Sequence, residues 1–146
     1  MRLLFIRFSS IGDIVFTSPA IRCAKQQIPG VEIHFLTKAS MKAVTEANPY
    51  IDHFHYFDKD LNATINGLKA FQFDYIIDLH KNIRTLKVRR ALKCKSFSFP
   101  KLNFQKWVLV NFKKDILPDK SIVERYFEAV HPLGVKNDGQ GLDYFI

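Results

Sequence analysis

Short apolar runs return along this chain at a steady beat, each followed by a polar turn and a stretch long enough for a helix. Leu3 to Ile6 reads as a buried strand, and Val31 to Leu36 as a second, with Val31, Ile33 and Phe35 alternating against Glu32 and His34. His53 to Phe57 alternates histidines with aromatics and suits a third strand, half exposed. Asp74 to His80 is the clearest central strand after the first, and Ser96 to Phe99 a short one closed by Pro100. Between them, helices are expected over Ile14 to Gln27, Lys38 to Ala47, Asp58 or Asp60 to Leu68, and Asn82 to Lys93, with another over Ser121 to Val130. Pro19, preceded by Ser18, places the start of the regular first helix near Pro19 itself. Parallel strands need crossovers, and this alternation supplies a helix for each. The reading is a Rossmann-like α/β fold, with a parallel sheet of about five to seven strands and helices on both faces.

Composition narrows the partners. The 146 residues carry 22 Lys+Arg against 14 Asp+Glu, a formal charge of +8, which favours anionic ligands: nucleic acid, phosphorylated sugars or an acidic membrane face. With 47% hydrophobic and 25% charged residues, the chain falls in the globular range and has the length of one domain. No run approaches the roughly 18 apolar residues that span a bilayer, and Arg7 interrupts the N-terminal run before it reaches signal-peptide length. Cys23 and Cys94 make neither a disulfide framework nor a metal-ligand spacing, which points to a reduced, cytoplasmic setting. In that setting the sequon at Asn62 is inert. The terminal run Leu142 to Ile146 is strand-like, as expected of a piece of something longer.

In a parallel sheet, ligands sit beyond the carboxyl ends of the strands. That rule selects the loop Ser9 to Asp13, the segment from Thr37 onward, and Asp78 to Arg84. In the first, Ser9 and Ser10 precede a helix whose opening amides can meet an anion, Gly12 permits close approach, and Asp13 either caps the helix or acts chemically. Neither GxxxxGK[ST] nor GxGxxG occurs. In the third, Lys81 and Arg84 either hold an acidic substrate or are solvated helix residues, and Asp78 serves as a strand-end hydrogen-bonding group. His80 is a candidate base or ligand, without a second ligand at metal spacing, so no metal site is assigned. The basic residues from Lys81 to Lys95 spread round their helix instead of forming a stripe, which disfavours nucleic-acid reading but leaves an anionic surface open. Phe97, Phe99, Phe104, Trp107 and Phe112 read as core or apolar rim.

The stretch Arg7-Phe8-Ser9-Ser10-Ile11-Gly12-Asp13-Ile14-Val15, with Thr17-Ser18-Pro19-Ala20 after it, resembles the N-terminal signature of the ADP-heptose:lipopolysaccharide heptosyltransferases, glycosyltransferase family nine. Phe73 to Leu79 and Val123-Glu124-Arg125-Tyr126 are similar to later family segments in the same order, and Ser121 stands where many relatives carry a histidine. The resemblance implies a GT-B enzyme in which residues 1–146 form the N-terminal, acceptor-side domain, with the donor-binding domain outside this chain. It implies metal-independent, inverting transfer of heptose or a related sugar to the lipopolysaccharide inner core, with no cofactor beyond the ADP-sugar donor substrate. Asp13 matches the family's general base; Lys81 and Arg84 stand where basic residues hold the acidic, lipid-linked sugar acceptor; Ser9, Ser10 and Gly12 complete the substrate loop. Peripheral contact with the inner membrane is expected, nucleic acid is not, and the isolated domain is expected to be inactive. The competing reading is a non-catalytic α/β module that binds an anionic glycan or nucleotide.

Overall fold

A computed structural model describes residues 1–98 and 118–142. Five strands form one parallel sheet: β1 (Arg2–Ile6), β2 (Glu32–Lys38), β3 (His53–Phe57), β4 (Tyr75–Asp78) and β5 (Lys95–Ser98), in the order β3-β2-β1-β4-β5. The helices are α1 (Ile11–Gln27), a short α2 (Lys42–Thr45) behind a 3₁₀ turn, α3 (Leu61–Leu68), α4 (Ile83–Leu92) and α5 (Pro118–Val130). The chain winds outward from β1 to β2 and β3, then returns past β1 to β4 and β5. The direction therefore reverses between β1 and β4, which makes their carboxyl ends the switch point of the sheet.

Strand alternation explains why the sheet carries helices on both faces. Leu3 and Phe5 of β1 join Ile33, Phe35 and Ile77 in one buried cluster, against Ile21 and Ala24 of α1 and Phe127 and Val130 of α5. Leu4 and Ile6 point the other way, into a second cluster with Leu36, Ile76, Ile65 of α3 and Val88 of α4. The central strands are thus apolar at nearly every position because both faces are covered.

The first helix departs from expectation. It runs unbroken from Ile11 through Pro19 to Gln27. Proline in a helix interior removes the amide that would bond the carbonyl four residues back, here that of Val15. The Ser18 hydroxyl donates to that same carbonyl at 2.7 Å, so the carbonyl keeps a partner. The segment Lys38 to Ala47 is likewise shorter in helix than expected, split between the 3₁₀ turn at Ala39–Met41 and the single α turn of Lys42–Thr45. At α3, Asp60 is the cap, accepting from the Ala63 amide at 3.1 Å, and Asn66-Gly67 stays inside the helix. The ends proposed at Phe99 and Pro100, the apolar stretch Phe104 to Phe112 with Trp107, and the run Asp143 to Ile146 lie outside the described residues.

Candidate active site

The two loops singled out from sequence meet at the switch point. Arg7, directly after β1, donates through Nη1 to the Leu79 carbonyl at 3.1 Å, and the Phe8 amide donates to His80 Nδ1 at 3.1 Å. The loop after β1 is thereby bonded to the loop after β4.

Asp13 is the third residue of α1, and its carboxylate reaches back over the helix start. Oδ2 accepts from the Ser10 hydroxyl at 2.8 Å and from the Ser10 amide at 3.2 Å, and it pairs with Arg7 Nη2 at 3.0 Å. The bond to the Ser10 amide is one half of a capping box, so the capping role considered from sequence is real. Among the described residues, no donor engages Oδ1. Burial pushes the Asp13 carboxyl up, but the Ser10 hydroxyl and amide together with Arg7 outweigh it, and its pKa lies below the ordinary carboxylate value. The group is ionised at neutral pH, held by Arg7 and Ser10 rather than by a helix terminus alone.

Ser9 contributes its carbonyl, which accepts from Arg7 Nε at 2.6 Å. Gly12 is exposed in the first turn of α1. A Cβ there would meet no atom within 4 Å, and its φ is not in the left-handed region. Nothing inside the fold asks for glycine at this position.

On the second loop, Asp78 is fully buried and holds the turn: Oδ1 accepts from the His80 and Lys81 amides at 3.0 and 2.8 Å, and Oδ2 faces Arg89 Nε at 3.2 Å. Lys81 takes a left-handed φ of 55° under that clamp. Asn82 then caps α4, accepting from the Thr85 amide at 2.9 Å, while the Thr85 hydroxyl accepts from the Asn82 amide at 2.9 Å. Arg84 is exposed on the first turn of α4, its guanidinium 5.2 Å from the Phe8 ring centre and 5.7 Å from that of Phe57. It is thus a cation resting on the aromatic floor beside the Asp13 loop.

Three further residues join the site: Arg7 and Tyr126, which the sequence left without a role, and His80, which it offered as a candidate base or ligand. Arg7 is the first; its signal was a lone cation directly behind a buried strand. His80 is the second. Because Nδ1 accepts the Phe8 amide proton, the ring proton sits on Nε2. Burial, helped by Arg7 and Arg84 and opposed by Asp78 and Asp13, pushes its pKa down to about 4, so the ring is neutral. The third is Tyr126 of α5, pushed up to about 12 by burial first; Asp13 raises it further while Arg7 and Arg125 oppose, which places its hydroxyl within the field of the Arg7–Asp13 pair. Val123 to Tyr126 lies in α5, so the similar segments noted in sequence share one neighbourhood.

No family model matches this sequence. Lipopolysaccharide heptosyltransferase 1 of Campylobacter coli is 22% identical over 135 residues, covering 86% of this chain and 40% of that protein. Among solved structures, E. coli heptosyltransferase WaaC with ADP superposes with a TM-score of 0.70 at 19% identity, covering 98% of this chain and 50% of the other. A glycosyl transferase family 9 structure from Veillonella parvula gives 0.69 at 18% identity, covering 97% and 44%. E. coli ADP-heptose lps heptosyltransferase II gives 0.65 at 16%, covering 99% and 45%. The chain spans about half the length of these proteins or less. At such identities the structures speak for the fold, which is that of the matched half of these glycosyltransferases, and the curated relative speaks for a sequence similarity to a lipopolysaccharide heptosyltransferase.

Proposed function

We propose that this chain is the acceptor-side domain of an inverting glycosyltransferase that moves heptose, or a related sugar, from an ADP-sugar to an acidic, lipid-linked sugar of the lipopolysaccharide inner core. The observation that carries the reading is Asp13, a carboxylate with one oxygen saturated by Ser10 and Arg7 and the other open, at the switch point beside Arg84. The relative's name and the ADP-bound neighbour support the reaction class. In it, Asp13 Oδ1 takes the proton of the acceptor hydroxyl as that oxygen attacks the anomeric carbon, and ADP departs from the opposite face of the sugar. A carboxylate with a depressed pKa is a feeble base, so proton transfer accompanies or follows attack on an oxocarbenium-like centre instead of preceding it. One carboxylate is enough, because a diphosphate leaves without strong protonation.

Arg84 and Lys81 hold the acceptor's acidic groups, while the exposed amides near Ser10 and Gly12 face the incoming diphosphate. The donor-binding half lies outside this chain, and the chain alone does not transfer sugar, since transfer requires both reactants held in line. Ile83 is 87% exposed beside Arg84 and Lys87, a combination that supports peripheral contact with an anionic lipid surface. No described helix is long and apolar enough to cross a membrane.

The test is steady-state kinetics on Asp13→Asn in the two-domain protein, with ADP-heptose and a lipid-linked acidic acceptor. Asparagine retains the cap and loses the base. Turnover should fall by about 10²–10⁴-fold while acceptor KM changes little and stability falls by no more than about 1 kcal/mol. Near-normal turnover with a lowered melting temperature would reduce Asp13 to a helix cap.

A further inference from the structure

At the opposite edge of the sheet from Asp13, the amino-terminal halves of β2 and β3 bring three chemistry-bearing side chains together. The parallel register sets His34 beside His53, and Glu32 lies two residues before His34 on the same face. Glu32 Oε2 stands 3.0 Å from His34 Nε2, and Glu32 Oε1 stands 3.2 Å from His53 Nε2. One donor atom from each of the three lies within 4.8 Å of the others. Around a tetrahedral zinc ion with bonds of 2.0–2.1 Å, neighbouring ligand atoms stand about 3.3 Å apart. These two distances are made by the two oxygens of Glu32 separately, so one shared ion would be held by the Glu32 carboxylate through both oxygens and by the two rings through Nε2. The His34 and His53 rings stack at 4.4 Å between centroids, and the His53 side chain, 45% exposed, has room to turn its Nε2 toward a shared ion.

The surroundings hold and orient these three groups. His34 is fully buried, with the rings of Phe71 and Phe73 edge-on at 4.9 and 4.8 Å between centroids. Its other ring nitrogen, Nδ1, lies 2.9 Å from His55 Nε2. With a metal on Nε2, that Nδ1–H donates to His55, the outer partner that fixes the tautomer and orientation of a ligating imidazole. Arg2 Nε holds Glu32 Oε2 at 2.8 Å and leaves Oε1 turned toward His53. Glu32 and His53 are open to solvent, which supplies a path of entry. Two imidazoles and one carboxylate suit Zn²⁺, Co²⁺ or Ni²⁺, and not Mg²⁺ or Ca²⁺, which prefer oxygen ligands.

We propose that Glu32, His34 and His53 bind one divalent transition-metal ion, Zn²⁺ in class, which staples the edge strand β3 to β2. His55 is a positioning residue for it. The proposal is independent of the transferase reading, because the site and the Asp13 loop occupy opposite edges of the sheet. Without an ion, the same groups form a hydrogen-bonded network, so the experiment must separate the two.

The metal-stripped chain is titrated with Co²⁺ and then Zn²⁺, following the visible d–d absorption of cobalt and the melting temperature. One Co²⁺ per chain should bind with a four- or five-coordinate spectrum, Zn²⁺ should displace it, and saturating Zn²⁺ should raise the melting temperature by several degrees while Mg²⁺ does not. His53→Gln and Glu32→Gln, both at exposed or half-exposed positions, should keep the circular dichroism of the parent and weaken Co²⁺ binding at least tenfold. His55→Gln should weaken it about 10–100-fold and alter the cobalt spectrum. Absence of a saturable signal up to about 1 mM metal leaves a hydrogen-bonded network only and overturns the proposal. So does binding that survives His53→Gln unchanged, or that disappears when the thiols are alkylated.

Discussion

Asp13 and its neighbours divide one loop into groups that shape the site and groups that can meet a ligand. Arg7 is on the shaping side: besides pairing Asp13 it bonds the carbonyls of Ser9 and Leu79, so it ties both loops to one carboxylate. Gly12 is on the other side. Because a Cβ there meets nothing and φ is ordinary, Gly12→Ala should raise stability by about 0.4–1 kcal/mol through the unfolded state. If a substrate approaches the backbone at this point, the same variant should lose transferase activity, and a melt beside an assay shows whether the two move in opposite directions. Arg84 is exposed and rests on Phe8 and Phe57 without a bonded anion in the described site. Arg84→Ala should chiefly raise the acceptor KM, and more so at low ionic strength, since a cation that holds an anionic sugar contributes binding and its field is screened by salt. A fall in kcat with KM unchanged would move Arg84 from holding the acceptor to the chemical step.

At the scale of elements, α1 shows how a helix tolerates a proline beside the site it supports. The Ser18 hydroxyl takes the Val15 carbonyl that Pro19 leaves without an amide. Ser18→Ala should therefore cost about 1 kcal/mol, seen as a shift of the urea midpoint at constant slope. Adding Pro19→Ala restores an amide four residues after Val15, and the pair should recover most of the loss. A double-mutant cycle that is merely additive would show that the hydroxyl does not substitute for the missing amide. The opening of α4 uses a different device: the reciprocal Asn82–Thr85 bonds start the helix directly after the Asp78-clamped turn, which sets the position of Arg84.

For the whole molecule, the contact that ties distant parts of the chain together is Arg22 with Asp138. Arg22 Nη2 and Nε donate to the two carboxylate oxygens at 2.7 and 3.0 Å, and Nη1 donates to the Gly141 carbonyl at 3.0 Å. The arginine side chain is 3% exposed, so replacing Asp138 takes a bidentate carboxylate away from a desolvated cation. Asp138→Asn should destabilise the fold by about 1–3 kcal/mol, read as a lowered melting temperature. Bonding to Arg22 is the main cause that pulls the Asp138 pKa from 3.8 down to about 2. A carboxyl whose folded pKa is depressed adds stability above its unfolded value and loses it as pH falls through its folded one. The contribution of this pair should be complete above pH 4 and fade toward pH 2, and acid titration of wild type against Asp138→Asn measures it.

How much of this was open to a reader of the residues alone depends on the distance over which each feature is decided. β3 was readable residue for residue, because the alternation of His53 to Phe57 is local; so was the parallel architecture, which rests on runs of apolar residues and the turns behind them, whereas Ile11 to Asp13, read as loop, belong to α1. Asp13 and the Asp78 turn were also visible, since their bonds span two or three residues. The start of α1 was not, because a hydroxyl contact inside the helix overrode the usual rule for proline. Beyond that reach, only the tertiary structure decides. The joining of Phe8 to His80 crosses 72 residues and exists because the strand order reverses between β1 and β4. The pairing of Arg22 with Asp138 crosses 116 residues. Glu32, His34 and His53 show no ligand spacing along the chain; the register of two parallel strands brings them within bonding range, and register is set by the packing of both faces of the sheet.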